Sequence, residues 1–387
     1  MSRPFGTDAR AQFDLEPGAV FLNHGSFGAV PKSVQAAQAR WRATMERQPD
    51  IFFRRLMKPG IRAAAEVFAP VVGAKGEDIA FVENATTAVS TVLQRMAFER
   101  GDEILITGTT YNAVKLAAAD EARRQGLAVR TAPMPLPYTS DAGVVERIVS
   151  AAGPRTRLAI LDHIVSPTAL VLPVADIVRG LKEKGVRVMI DGAHGPGQIP
   201  LNVPALGADW VTGNLHKWFY APRGTAYFWA APEVREITLP LNISHDVALG
   251  FPRAFDYTGT RDSTAWLCVP DAMTFVADYG LDRIMAHNRA LAADGARAFA
   301  RLGVEPIAGK ANFAAMQSMI LPTARPATPE DAVWLIAQMW DQHRVQIASN
   351  AVDGRLLLRI SAQIYCEPSD FIRAAEALDA LSWPGRT

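Results

Sequence analysis

The sequence predicts an α/β protein in which a mostly parallel sheet carries helices on both faces. Between residues 79 and 229, short apolar runs typical of strands alternate with longer segments whose apolar residues have helical spacing. Several runs, such as residues 158–161, are apolar at every position, which is typical of strands covered on both faces. Alternation and two-sided burial together favour parallel strands joined by crossing helices.

The composition is that of an ordinary globular chain. Its 387 residues, 49% hydrophobic and 20% charged, suffice for two domains. With 40 basic and 39 acidic residues, the formal charge is +1, so we expect neither nucleic acid nor a membrane as a partner. Cys268 and Cys366 are too few for a cysteine-based zinc site, although a disulfide between them stays open. The N-terminal residues lack the apolar core of a signal peptide, so we predict a cytoplasmic protein. We predict no metal site.

The N-terminal residues 20–28 form a short apolar piece that runs into a polar loop containing glycine. Loops of this composition are usually simple turns. Asn23, His24 and Ser26 would nevertheless face a substrate if this arm folds back over the site. A helix is predicted next, over residues 31–45.

A helix N-terminus is predicted directly after the strand-like run 79–82. Asn84 can cap the helix, and Thr86 and Thr87 place hydroxyl groups on its first turn. The free amides and the helix dipole at such an end favour a phosphate group. A capped helix without a ligand has the same pattern, so both interpretations stay open.

The remaining elements continue this alternation into a second domain. Further strands are predicted over residues 103–107, 128–131, 158–163, 188–191, 208–212, 225–229, 316–321 and 356–361. Further helices are predicted up to residue 124, over 144–151, from 269, between 286 and 299, and over 330–340.

Polar side chains follow the predicted strands at the edge where α/β proteins bind ligands. They are Tyr111, Ser166, His194, Asn214 and His216. Tyr111 could stack on a flat ring or simply pack at a rim. His194 could donate to a phenolate oxygen or have only a structural role, and Asn214 and His216 could donate to a phosphate.

Lys217 is the residue around which the site is predicted. It follows a strand and precedes three aromatic residues, and partial desolvation there would lower the pKa of its amine. A lysine near aromatics is more often a surface residue with a buried stem. However, Asp191 ends a buried strand upstream, and pyridoxal phosphate chemistry needs a lysine for the aldehyde and an aspartate for the pyridinium nitrogen.

Arg359 is embedded among apolar residues of the predicted strand 356–361. A charge in such a place needs a partner, and the planar guanidinium is suited to a carboxylate. That carboxylate is either on a ligand or on an Asp or Glu of the chain.

In order and spacing, these motifs resemble fold-type I pyridoxal-phosphate enzymes of the class V aminotransferase family. The subgroup that they resemble contains isopenicillin N epimerase-like and hercynylcysteine sulfoxide lyase-like proteins. The motifs are residues 21–28, 84–87, 166–168, 191–194, 213–218, 258–262 and 359–361. The resemblance implies a seven-stranded, mostly parallel sheet with an N-terminal arm (1–30), a large cofactor-binding domain (31–280) and a smaller C-terminal α+β domain (281–387).

The resemblance also implies a role for each residue. Lys217 would form the Schiff base and move the Cα proton, Asp191 would hold the pyridine nitrogen, and Tyr111 would stack on the ring. His194 and Ser166 would lie near the ring oxygen. The phosphate would be bound by Thr86, Thr87, Asn214 and His216, and in a homodimer Thr260 would reach the partner's phosphate. Arg359, with Asn23 and His24 nearby, would bind the amino-acid substrate.

Departures from the family pattern narrow the expected reaction. Residues 342–358 contain no cysteine, so we do not expect a persulfide-forming desulfurase. Ala169 replaces a usual glycine, and Cys366 replaces an asparagine after Tyr365. The resemblance to the subgroup implies epimerisation or β-elimination of an amino acid or a sulfur-substituted cysteine derivative. A class V aminotransferase is the alternative enzyme, and a catalytically silent binding protein is the non-enzyme alternative.

Overall fold

The computed structural model describes residues 3–309, 311–381 and 383. The strands are β1 (Val20–Phe21), β2 (Ile79–Val82), β3 (Glu103–Thr107), β4 (Ala128–Ala132), β5 (Thr156–Asp162), β6 (Arg187–Asp191), β7 (Trp210–Asn214), β8 (Ala226–Ala230), β9 (Glu305–Pro306), β10 (Met316–Leu321), β11 (Val345–Gln346), β12 (Ala348–Val352) and β13 (Arg355–Ser361). The helices are α1 (Thr7–Arg10), α2 (His24–Phe27), α3 (Lys32–Arg47), α4 (Pro49–Ile51), α5 (Met57–Phe68), α6 (Ala85–Arg95), α7 (Asn112–Gln125), α8 (Asp141–Ala151), α9 (Val174–Glu183), α10 (Thr264–Leu267), α11 (Val269–Tyr279), α12 (Leu281–Ala298), α13 (Pro329–His343) and α14 (Pro368–Ala380).

The central sheet has seven strands in the order β2-β8-β7-β6-β5-β3-β4. Neighbouring strands are parallel except β8, which is antiparallel to both β2 and β7. The predicted mostly parallel sheet is therefore confirmed. Because the carboxyl ends of β5, β6 and β7 lie at one edge, the polar residues that follow them meet there.

Alternate side chains of each central strand enter two different apolar layers. On β5, Leu158 and Ile160 pack with α6 and α7, whereas Ala159 and Leu161 pack on the opposite face with α8 and α9. This two-residue period, without a polar face, is why the strands read as continuous apolar runs. The predicted helices on both faces of the sheet are confirmed.

The C-terminal part contains a smaller antiparallel sheet in the order β12-β13-β10-β9, together with α12, α13 and α14. The predicted α+β arrangement is confirmed. The N-terminal arm is attached to this part, because β1 pairs in parallel with β11. The boundaries at residues 30 and 280 stay predictions.

Some elements were not predicted from the sequence. They are α5, α9, α14 and strand β12, and two of these helices contain residues that weaken a helical pattern. Pro59 lies in the first turn of α5, directly after the π-helical segment Phe52–Leu56, and Gly180 lies inside α9. Across the described residues, none of the helices combines the length and apolar character needed to cross a membrane.

Candidate active site

A cavity of about 500 Å³ opens at the carboxyl edge of the central sheet. Ten predicted site residues line it: Ser26, Thr86, Thr87, Tyr111, Ser166, Asp191, His194, Asn214, His216 and Lys217. Seven further residues complete the lining: Phe27, Asn84, Ala85, Ser90, Asp162, Ala193 and Leu241. The fold thus brings together most of the predicted site.

Lys217 and His194 form the polar centre of the cavity. The Lys217 Nζ atom lies 3.2 Å from His194 Nε2. The indole N–H of Trp218 donates to His194 Nδ1 at 3.3 Å, and since an indole can only donate, Nδ1 is the unprotonated nitrogen. Burial lowers the pKa of His194 well below its ordinary value, so the ring is neutral. Its proton therefore lies on Nε2, facing Lys217.

The amine of Lys217 is in an environment that favours its neutral form. Burial, followed by the positive charge of Arg359, lowers the pKa of Lys217 to about 8, although Asp191 and Asp162 oppose this effect. A free amine can accept the hydrogen bond from His194 and can act as a nucleophile.

Two buried carboxylates lie next to each other at the ends of β5 and β6. Asp162 and Asp191 are partners in the parallel register, and both line the cavity. The backbone N–H of Ala193 donates to Asp191 Oδ1 at 2.9 Å. Burial raises the pKa of both carboxyl groups. Asp162 was missed from the sequence, because one aspartate at a strand end gave no sign of the neighbour across the sheet.

The N-terminus of α6 faces the same cavity. Asn84 caps it, accepting the backbone N–H of Thr87 at 2.9 Å, and Asn214 Oδ1 accepts the N–H of Ala85 at 2.9 Å. Within the described part of the chain, no acceptor is found for the N–H of Thr86. One amide at a helix N-terminus is therefore available to an anion.

His216 is half-buried beside this helix end. Its Nδ1 lies 3.0 Å from the carbonyl oxygen of Thr225, so Nδ1–H donates and Nε2 is left as an acceptor in the neutral ring. Burial and then Lys217 lower its pKa to about 4. His216 would consequently donate to a phosphate only if the bound anion promotes its protonation.

Arg359 is buried on β13 and is held by neutral oxygen atoms. Its Nη1 donates to the carbonyl oxygen of Ser166 at 2.7 Å and to the Ser166 hydroxyl at 3.1 Å. Its Nη2 donates to Asn23 Oδ1 and to Ser26 Oγ, each at 3.1 Å. Nε has no acceptor, and no carboxylate lies within ion-pair distance among the residues that the structure describes. The alternative of an internal ion pair is therefore not realised there.

His24 lies beneath the lysine and outside the cavity lining. Its Nε2 lies 2.8 Å from the backbone carbonyl of Lys217, and its Nδ1 lies 2.8 Å from the hydroxyl of Tyr365. Because a carbonyl can only accept, Nε2–H donates to Lys217 and Nδ1 accepts from Tyr365. Both ring nitrogens are thus used in positioning the lysine backbone.

The arm approaches the lysine segment so closely that a side chain would not fit. Gly28 has a φ of 69°, and a Cβ atom at this position would collide with the carbonyl oxygen of His216. Arg223 donates to the Gly28 carbonyl at 2.7 Å. The glycine is therefore required by both conformation and space.

The two departures from the family pattern have simple structural outcomes. Ala169 adopts a φ of 58°, the left-handed conformation that glycine usually supplies, and is fully buried.

Cys366 is buried and directed at the carbonyl oxygen of Phe21. Cys268 and Cys366 are both free thiols, so the open alternative of a disulfide between them is wrong. Burial raises the pKa of each thiol, which opposes a role as a nucleophile.

Thr260 is not part of this cavity. It lies 3.0 Å from the hydroxyl of Tyr257 and lines a separate surface cavity of about 670 Å³ with Phe53, Arg54 and Lys58. Within one chain the structure therefore does not bring Thr260 to the helix end at Thr86.

Comparison with known proteins identifies the family to which the chain belongs. A sequence model of the family described as aminotransferase class-V matches residues 30–366. A putative L-cysteine desulfhydrase from Oryza sativa subsp. japonica is 36% identical over 72% of this chain, and that match spans 62% of the rice protein, less than two thirds of its length. An isopenicillin N epimerase from Amycolatopsis lactamdurans is 34% identical over 97% of this chain and 98% of its own length.

A solved structure shares the fold at lower sequence identity. It is a complex between a cystine C–S lyase and its reaction product cysteine persulfide, with 20% identity and a TM-score of 0.81 over 95% of this chain and 98% of that one. Together with the family match over most of the chain, these findings confirm the predicted resemblance. The chain belongs to the aminotransferase class-V family of pyridoxal-phosphate-dependent enzymes.

Proposed function

We propose that the protein binds pyridoxal phosphate in this cavity and, through Lys217, removes the Cα proton of a sulfur-substituted cysteine whose Cβ–S bond then breaks. The observation that carries the proposal is the buried, readily neutralised amine of Lys217 in one cavity with Asp191, next to an arginine that lacks a carboxylate. The net reaction of such a substrate with water gives a thiol, ammonia and pyruvate.

The donor groups present fit the cofactor. Lys217 offers an amine for the aldehyde, Asp191 a carboxylate for the ring nitrogen, and Nε2–H of His194 a donor for the ring oxygen. Thr86 offers a free amide at a helix N-terminus for the phosphate. When bound, pyridoxal phosphate acts as an electron sink for the negative charge that develops at Cα.

The remaining candidates complete the binding set. Thr87, Asn214 and His216 lie around the helix end and would support the phosphate. Tyr111 would cover the flat ring, and Ser166 lines the cavity and accepts a hydrogen bond from Arg359.

Lys217 is proposed to move the proton at Cα. Its pKa near 8 lets it take a proton and return it near neutral pH. His194 orients the amine through the 3.2 Å contact, and His24 fixes the lysine backbone from below. A fixed amine needs little reorganisation when the proton moves.

Arg359 is proposed to bind the α-carboxylate of the substrate. Its neutral partners hold the guanidinium in place and leave its charge uncompensated, and a carboxylate would supply the missing anion. Asn23 contacts the arginine directly, whereas His24 acts through Lys217 rather than by touching the substrate.

Elimination is favoured because it needs only one base at Cα, and Lys217 is that base. Epimerisation is the second candidate, supported by the relative from Amycolatopsis lactamdurans that matches along its whole length. It needs a further proton donor on the opposite face, and Tyr111, a phenol that is 45% exposed and lines the cavity, is the residue that we propose for this role.

Product analysis tests the proposal. The protein loaded with pyridoxal phosphate is incubated with cysteine, S-alkylcysteines, cystine and matched D- and L-amino acids. We expect pyruvate and thiol from a sulfur-substituted substrate and no product from Lys217→Ala. Inversion of configuration without pyruvate would establish the epimerase instead, and keto-acid formation with transfer of the amino group would establish an aminotransferase. Absence of all three, with no change in the cofactor spectrum, would leave a silent binding protein.

We also propose a cytoplasmic location, which the composition supports.

A homodimer with shared active sites is a further part of the proposal. Thr260 would reach the partner's phosphate from its separate surface cavity. The exposed apolar side chains Phe27, Ile243 and Leu249 support a covered surface. Mixing Lys217→Ala with Thr260→Val chains tests this arrangement. Recovery of activity in the mixture, above that of either variant alone, is expected from shared sites, and a monomeric mass in solution would contradict it.

A further inference from the structure

We propose that Asp162 is a positioning residue that holds a proton at neutral pH, which leaves Asp191 as the only ionised member of a buried carboxyl pair. The two residues end neighbouring parallel strands and are direct partners in the register. Side chains at paired positions leave the same face of a sheet, with strands about 4.8 Å apart. Both carboxyl groups therefore enter the same cavity side by side.

Burial makes the doubly ionised pair unfavourable. Asp162 is 3% exposed and Asp191 is 4% exposed, so little water is available to separate their charges. Two adjacent carboxylates in such a site titrate as a pair and keep one proton between them. The single negative charge that remains can balance the protonated ring nitrogen of the bound cofactor.

The surroundings of the two carboxyl groups decide where the proton lies. Asp191 accepts the backbone N–H of Ala193, and the charge of Lys217 favours its ionised form. In Asp162, by contrast, Oδ2 is buried without a hydrogen-bond partner among the described residues. Burial and then the charge of Asp191 raise the pKa of Asp162 well above its ordinary range. An ionised Oδ2 without a donor would be a buried, unsolvated charge, whereas the protonated carboxyl group is neutral and costs less to bury.

The other groups around the pair do not reverse this assignment. The backbone N–H of Tyr111 and the hydroxyl of Thr110, on the loop after β3, favour the ionised form of Asp162 and lower its pKa only in part. Lys217, on the loop after β7, is charged below its pKa of about 8. The phenol of Tyr227 is neutral, because burial and then the charge of Asp191 raise its pKa. His163 is neutral, because burial lowers its pKa to about 4.

Asp162 would thereby have two effects on the site. It interacts with the backbone N–H of Tyr111, which lines the cavity, and it keeps a second negative charge away from the cofactor ring. The second effect rests on the proposed function, since it assumes that Asp191 contacts the ring nitrogen. The location of the proton does not, and it can be measured without cofactor.

Infrared difference spectroscopy of the cofactor-free protein tests the proposal at about pH 8, where Asp256, with a pKa of about 6, is largely ionised. We expect the difference between wild type and Asp162→Asn to show loss of a protonated carboxyl carbonyl band. Asp209→Asn is the matched control, because Asp209 is buried but paired with Lys182 at 2.8 Å. Its difference spectrum should show loss of ionised carboxylate bands.

Loss of ionised carboxylate bands in Asp162→Asn would overturn the proposal. If that variant does not fold, the wild-type spectrum decides, since absence of any protonated carboxyl band at about pH 8 would overturn it as well. With pyridoxal phosphate added, Asp162→Asn should bind within about threefold of wild type, because the neutral amide replaces a neutral acid. Failure of wild type itself to bind the cofactor would contradict the proposed function and leave the infrared result unaffected.

Discussion

Two arginines of this protein, the half-buried Arg62 and the buried Arg359, have opposite surroundings. Arg62, on α5, donates to Asp256 Oδ1 at 2.6 Å and to the carbonyl oxygen of Ile79 at 2.9 Å. Among the residues that the structure describes, Arg359, on β13, donates only to the uncharged oxygens of Ser166, Asn23 and Ser26. Arg62 therefore has a carboxylate partner within this part of the chain and Arg359 does not.

The difference separates a structural cation from one that is ready for a ligand. Burial lowers the pKa of both arginines, and in Arg62 the charge of Asp256 opposes that effect. Neutral oxygens orient a guanidinium but do not compensate its charge. A substrate carboxylate would therefore compensate the charge of Arg359, as the carboxylate of Asp256 compensates the charge of Arg62.

Replacing Arg359 should have the largest effect on activity. Arg359→Met is expected to lower kcat/KM about 1000-fold, or ~4 kcal/mol, because the substrate carboxylate would be left buried without its partner. Thermal unfolding should change little, since no carboxylate of the described residues is paired with the arginine. Steady-state kinetics and calorimetry on the same samples measure both quantities, and a large loss of stability with normal kinetics would assign Arg359 to the fold.

Replacing Arg62 should show the opposite pattern. Arg62→Met is expected to reduce the free energy of unfolding by about 3 kcal/mol, because it leaves Asp256 buried without its cation. The remaining folded protein should keep near-normal kcat/KM. Denaturant titration and kinetics below the unfolding transition check this outcome, and a selective loss of kcat/KM would erase the contrast with Arg359.

Giving Arg359 an internal carboxylate should make it resemble Arg62. Asn23→Asp places that group at an atom that already accepts from Nη2 at 3.1 Å. We expect KM to rise about 30-fold, ~2 kcal/mol, through competition with the substrate, and the melting temperature to rise. Asn23→Ala is the control, and it should not raise the melting temperature. An unchanged KM in Asn23→Asp would mean that the substrate carboxylate binds elsewhere.

The smallest expected effect is on the acidity of Lys217. Because the charge of Arg359 contributes to lowering that pKa to about 8, Arg359→Met should shift it upward. The neutral fraction of the amine at pH 8 then falls, and labelling of Lys217 in the cofactor-free protein should slow by less than about tenfold. Peptide mass spectrometry across a pH series measures the rate. Arg62→Met should leave it unchanged, and an equal shift in both variants would argue against a direct effect of Arg359.

Features that depend on a short stretch of the chain could be predicted from the sequence. Asp191 ends one apolar strand and Lys217 comes shortly after another, so the strand pattern predicted their position at the carboxyl edge of the sheet. Their roles were predicted from cofactor chemistry and from the family resemblance. For Arg359 the sequence left two partners open, because only the folded chain shows which carboxylates are near.

Features that depend on pairing across the fold were not predictable. The proposed role of Asp162 depends on its register with Asp191, which lies on the neighbouring strand of the sheet. His24 was expected to face the substrate, whereas its ring bridges Lys217 and Tyr365, a residue 341 positions later in the chain. The role of Thr260 stays a prediction, because it depends on a second chain.

The central claim is that this cavity holds pyridoxal phosphate on Lys217. The most direct measurement is borohydride reduction of the cofactor-loaded protein, followed by peptide mass spectrometry. We expect the reduced cofactor to be attached to Lys217 and to be absent from Lys217→Ala. Attachment to a different lysine, or no attachment to the wild-type protein, would contradict the account.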